Sequence, residues 1–191
     1  MRSFVLSLTA AAALLAGASQ VQANTYAIEP THTFATFEIG HMGTSTNRGR
    51  FDKKEGTVVY DRVAKTGKVD ITLDITSVNT GTPTFDKHLQ SPDLFNAAKF
   101  PTAKFVSTSM VFNGDKVSEV VGNLTLLGKT NPVTLKATNF NCYNHPQLKR
   151  EVCGGDFEAT LDRTAYGMNF GTNFGVPKDV RLTIQVEAVK Q

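Results

Sequence analysis

From Lys68 to Ile75 apolar and polar side chains alternate strictly: Val69, Ile71, Leu73 and Ile75 fall on one face, and Lys68, Asp70, Thr72 and Asp74 on the other. A period of two belongs to an extended strand with one dry and one wet face. The C-terminal stretch repeats it, with Val180, Leu182, Ile184, Val186 and Ala188 set against Asp179, Arg181, Thr183, Gln185 and Glu187. Weaker alternation groups Ala35, Phe37 and Ile39 within Thr33–His41, and Phe157, Ala159 and Leu161 further on. The runs Lys104–Phe112 and Val117–Leu127 flank Asn113-Gly114, a dipeptide suited to a tight hairpin. Gly128-Lys129-Thr130 then turns the chain into a strand over Pro132–Ala137. With Thr25–Ile28 and a pair around Arg50–Asp61, about eight to ten strands are predicted. One helical insertion is predicted between Pro83 and Lys99. Thr84 caps a short helix containing Asp86–Leu89, Pro92 interrupts it, and a second turn carries Leu94, Phe95, Ala97 and Ala98.

Strands with one apolar face must either pair two sheets or close on themselves, and alternation leaves the choice between sandwich and barrel open. The first 23 residues stand apart. Arg2, the apolar run Phe4–Leu15 and the small-residue site Val21-Gln22-Ala23 read as an export signal cut before Asn24. That run is too short to span a bilayer core of about 30 Å. The expectation is a signal peptide at 1–23, one domain at 24–191, and a periplasmic location.

Without the signal, about 37% of the remaining residues are apolar, enough for one core of ordinary size. The 19 basic and 17 acidic residues of this part are scattered, which argues against a nucleic-acid footprint. Val, Ile and Thr supply 44 of these residues, a bias towards strands. The two cysteines, Cys142 and Cys153, are expected to pair as a disulfide in an oxidising compartment. The histidines His32, His41, His88 and His145 form no H-x-H, H-x-x-x-H or H-E-x-x-H pattern, so they read as structural or pocket-rim residues and no metal is expected. There is no G-x-S-x-G elbow and no phosphate cradle. Asp52 and Glu55 read as a solvated hairpin end. These features point away from an enzyme. Tyr166–Gly175, where aromatics alternate with glycines, reads either as a flexible turn with aromatic anchors or as a mobile lip beside an apolar cavity.

The order of short motifs resembles the YceI-like family of exported bacterial lipid-binding domains over residues 25–190. They are Ile28-Glu29-Pro30-Thr31-His32-Thr33, Phe37–Gly43, Gly49-Arg50-Phe51, Ser77–Gly81, Asp86–Phe95, Lys99-Phe100-Pro101 with Phe105–Thr108, Gly122–Thr130 followed by Pro132-Val133, and Arg163–Met168. The resemblance implies an all-β, lipocalin-like, eight-stranded antiparallel β-barrel with one short helical insertion, whose apolar cavity binds a polyprenyl lipid or isoprenoid quinone. The family commonly has Asp at Glu29, Ser at Thr33 and Arg at Phe85. Losing that last cation favours an uncharged quinone head such as ubiquinone over a pyrophosphate.

On this reading the ligand-binding residues are Phe37, Ile39 and His41; Val69, Ile71 and Leu73; His88, Leu94 and Phe95; Phe105 and Phe157; Met168 and Phe170; and Val180, Leu182 and Ile184. No covalent cofactor is expected. The bound isoprenoid is the expected partner, and the chain is compatible with transient membrane contact and with a homodimer. Two other readings compete with carriage or storage of the lipid: a quinone- or metal-dependent redox or stress-response role using His32, His41 and His88, and a surface-exposed interaction protein with a filled barrel.

Overall fold

The computed structural model describes residues 23–191, so the expected export signal lies, apart from Ala23, outside the described residues. The described residues form eleven strands: β1 (Asn24–Ile28), β2 (Phe34–His41), β3 (Ser45–Phe51), β4 (Lys54–Asp61), β5 (Thr66–Asp74), β6 (Val78–Asn79), β7 (Thr102–Asn113), β8 (Lys116–Leu126), β9 (Lys129–Asn144), β10 (Glu151–Asp162) and β11 (Asp179–Lys190). Every pairing is antiparallel, and the order β1-β4-β5-β7-β8-β9-β10-β11 returns to β1, closing an eight-stranded barrel. Closure removes the free edges that a sandwich would leave.

The remaining short strands extend the wall. β1 pairs with β11 at Ile28–Ala188, and β2 takes over the same edge of β11 from Phe34–Gln185 onward. β3 pairs with β2, and β4 with β1. Asp52 therefore lies at a bend between β3 and β4, and Glu55 within β4 opposite Thr72, not at the hairpin end expected from their polarity. The bend is held by Asp52, whose carboxylate accepts from Arg50 Nε at 2.8 Å and Asn79 Nδ2 at 2.7 Å. At the matching break in β1–β2, Thr33 bonds Glu187 through its hydroxyl, which donates to the carbonyl and accepts from the amide, each at 3.2 Å.

Three bulges set which way the long strands face. Register slips at Thr108 in β7, Ser118 in β8 and Thr138 in β9, each leaving one residue without a partner. In each case the extra residue is Ser or Thr, and its hydroxyl donates to a carbonyl of the neighbouring strand: Val121, Val111 and Asp156 respectively. A bulge exchanges the two faces beyond it. The inward row of β9 thus runs Val133, Leu135, Ala137 and then Phe140, Cys142.

The hairpins differ from expectation in detail. β7 and β8 are joined by Gly114-Asp115, with Asn113 and Lys116 paired and Gly114 at φ 60°. β8 ends at Leu126, because Leu127 (φ 52°) and Gly128 (φ 73°) form the next two-residue loop, and β9 runs sixteen residues, well beyond Ala137. The helix α1 spans Pro83–Leu89, so Thr82 and not Thr84 is the N-cap, and Pro83 occupies the first turn where its missing N–H costs nothing. After Pro92 the chain forms turns only.

Candidate functional site: an apolar cavity in the barrel

The inward rows enclose a cavity of about 450 Å³ whose lining is overwhelmingly apolar. At the end carrying the hairpins 61–66, 113–116 and 144–151 it is closed by aromatic packing. Tyr60 lies 6.2 Å from Phe112, 5.7 Å from Phe140 and 6.3 Å from Tyr26, centroid to centroid. Tyr26 is 1% exposed, and its hydroxyl donates to Glu151 Oε1 at 2.6 Å, while Arg62 reaches Oε2 at 3.3 Å. Burial first, and the neighbouring Glu151 second, push the Tyr26 pKa upward, so the phenol stays neutral. Cys142 and Cys153 face each other in the β9–β10 pair with Cα atoms 4.1 Å apart, and they form the expected disulfide beside this floor.

The opposite end carries the β2–β3 turn, α1 and the segment 163–178. Phe37, Phe51 and Phe95 form an aromatic group with centroids 5.6–6.2 Å apart, which packs α1 and the following turns against the wall. His41, Asn47 and His88 add polar atoms to the lining here. Asn47 faces inward because it pairs with Ile39, and His88 meets the edge of Phe170 at 5.1 Å. Phe170 is 47% exposed and Phe174 67%, so the lip presents aromatic surface to water.

That lip is held by Arg163, a cation only 3% exposed. Its guanidinium donates to the carbonyls of Pro177 (2.9 Å), Met168 (2.9 Å), Phe170 (2.8 Å) and Val176 (3.4 Å). The planar fork satisfies four carbonyls of an irregular segment that has no ladder of its own. Burial lowers the Arg163 pKa, and the adjacent Asp162 carboxylate opposes the effect.

The YceI-like domain model matches residues 26–188. The chain belongs to the YceI-like family. Protein YceI of Escherichia coli O157:H7 and that of Salmonella arizonae are each 37% identical to it over 195 residues, with both chains fully covered. Among solved structures, the YCEI protein of Campylobacter jejuni is similar with a TM-score of 0.69 and 26% identity, covering 80% of this chain and 90% of that one. BcnA of Burkholderia cenocepacia has a TM-score of 0.69 at 21% identity, covering 84% and 98%. A polyisoprenoid binding domain from Saccharophagus degradans has 0.64 at 14%, covering 87% and 98%.

Within this YceI-like barrel, all sixteen residues expected from the sequence to face a ligand border the one cavity. The dry faces of β5 and β11 both turn inward, and the aromatic-glycine segment supplies Met168 and Phe170. The three histidines weighed as a metal site do not converge. His41 and His88 border the cavity, whereas His32 sits on an outer turn with its ring Nδ1 2.7 Å from Glu29. Among the described residues the metal-type donors Cys142, Glu151 and Cys153 do lie together, but their two sulfurs are bonded to each other.

Sequence reasoning missed much of the floor and two cations. Tyr26, Tyr60, Val117, Val120 and Phe140 border the cavity, as do Lys54 and Arg163. Val117 and Val120 are three apart and Leu135 and Phe140 five apart, so no single alternation groups them; the bulges do. The Arg163–Met168 motif was a signal that something fixed stood there, but not that the arginine would turn inward.

Proposed function

We propose that this protein binds an isoprenoid lipid, in particular an isoprenoid quinone such as ubiquinone, and carries or stores it in the periplasm without covalent chemistry. The observation that carries this reading is the apolar cavity, closed at its floor and open at a polar rim, inside a YceI-like barrel. The polyisoprenoid binding domain with the same fold supports the ligand class. Each methylene-sized group buried is worth about 0.8 kcal/mol, so a five-carbon unit offers about 4 kcal/mol before ordering costs. The chain of the ligand supplies affinity along the wall, and the rim selects the head.

At that rim His41, Asn47 and His88 offer hydrogen bonds to a carbonyl-bearing head, while Phe85, where the family commonly has Arg, contributes ring surface. This favours an uncharged quinone over a pyrophosphate. All sixteen inward residues are assigned to ligand contact on this reading. The test is mass spectrometry of an organic extract of natively purified protein, expected to yield an isoprenoid quinone near stoichiometry. An empty extract, with no uptake of ubiquinone or of a polyprenyl alcohol, would overturn it.

A further inference from the structure

The ladder of the barrel wall breaks where β1 gives way to β2 and β3 to β4. Between β1 and β4 the ladder stops at Ala27–Thr57, and between β2 and β3 it resumes at Ala35–Phe51. Residues 28–34 therefore face residues 52–56 without ladder pairing, at the level where both wall segments break. The lining of the cavity reaches this slit in the ladder. Ala35 and Phe37 belong to the inward row of β2, but Phe34 and Thr36 belong to the outward row, where Thr36 pairs with Arg50 and Thr183. All four border the cavity.

Lys54 occupies the slit. It lies opposite Leu73 in the inward row that continues through Val58 and Tyr60, an unusual position for a lysine in an apolar barrel. Its stem starts inside, yet its ammonium lies 4.2 Å from the Phe34 ring centroid and donates to the Asp52 carbonyl at 3.2 Å. Arg50 stacks on the same ring at 4.7 Å. An ammonium over an aromatic face with its stem along apolar surface is a stable but single-residue closure. Burial lowers the Lys54 pKa, in keeping with a stem and head that are partly enclosed.

We propose that this slit is a second, lateral portal, bolted by Lys54, through which the apolar chain of the ligand can leave the cavity without passing the rim. The proposal rests on the isoprenoid reading for what passes, and on the wall geometry alone for the opening. The protein has no tryptophan, so Leu73→Trp places a unique fluorophore opposite Lys54; Ile184→Trp serves if the first fails to fold by circular dichroism. Acrylamide, being neutral, reports access without bias from the lost charge. Lys54→Ala is expected to raise the quenching constant at least threefold. Lys54→Met, which keeps a stem, should stay near the parent.

In parallel, transfer of a bound polyprenyl alcohol to phosphatidylcholine vesicles should accelerate at least threefold in Lys54→Ala. Equal quenching in parent and Lys54→Ala overturns the portal, and raised quenching with unchanged transfer overturns its role in transit. If no polyprenyl alcohol loads into the parent, the lipid reading fails while the quenching arm still decides whether the wall opens.

Discussion

Gly49 keeps the cavity open by lacking a side chain. It pairs with Phe37, whose ring atoms Cζ and Cε1 lie so close to Gly49 that a Cβ there would fall well inside van der Waals contact with them. Gly49→Val must swing Phe37 towards the lumen. The expected result is a folded protein that takes up less ligand, with stability lowered by about 1–3 kcal/mol, checked by ligand titration and denaturant unfolding. Glu29 acts at the break between β1 and β2. Burial alone would push its carboxyl up, but hydrogen bonds from the Thr31 amide and hydroxyl and from the His32 amide and ring bring it down to about 2. A carboxylate whose folded pKa is depressed stabilises the fold above its unfolded pKa, and the contribution is lost as pH falls through the folded value. Glu29→Gln should therefore cost about 1–3 kcal/mol at pH 7 after screening of a group that is one-quarter exposed, and the difference from wild type should vanish between pH 4.5 and about 2 in a series of unfolding curves.

At the scale of elements, the disulfide and the bulges depend on each other. Cys142 meets Cys153 only because the slip at Thr138 turns Phe140 and Cys142 onto the same face as Ala137. The bridge closes the ten-residue segment Tyr143–Val152, which in the chain-entropy view limits the unfolded state by roughly 3 kcal/mol. Replacing both cysteines by alanine should lower stability by about 2–3 kcal/mol in denaturant titration, and reduction of the wild type should reproduce most of that loss. The strands that alternate without a bulge, β5 and β11, are the ones whose lining residues could be read directly: Val69, Ile71, Leu73, Val180, Leu182 and Ile184. β7, β8 and β9 could be recognised as strands but not oriented beyond their bulges, because a Thr or Ser within a strand does not announce that it will stand unpaired. α1 was legible from Pro83, although the cap fell two residues earlier than the Thr84 expectation, since a proline favours the first turn over the interior.

For the whole molecule, an apolar cavity left to water would expose surface that a ligand covers. A ligand that binds only the folded state stabilises it by about 2.7 kcal/mol at a hundredfold excess over Kd. Each kcal/mol moves the midpoint of a domain this size by about 2–4 °C. Removing the bound lipid with detergent or solvent, then refilling with ubiquinone, should lower and restore Tm by about 5–10 °C in calorimetry. A filled, ligand-free barrel predicts no such shift.

The family motifs made the barrel an expectation, while the alternation by itself favoured it only modestly over a sandwich. What the sequence determined unaided was local: which stretches are strands, which faces of β5 and β11 are dry, and close to where the β7–β8 and β8–β9 hairpins turn. Those follow from periodicity and turn chemistry within a few residues. Only the tertiary structure decided the rest, because it depends on partners far apart in the chain. The closure of β11 onto β1, the inward turn of Arg163 against four carbonyls, the aromatic floor gathered from β1, β4, β7 and β9, and the slit occupied by Lys54 all arise from registers that no single segment carries.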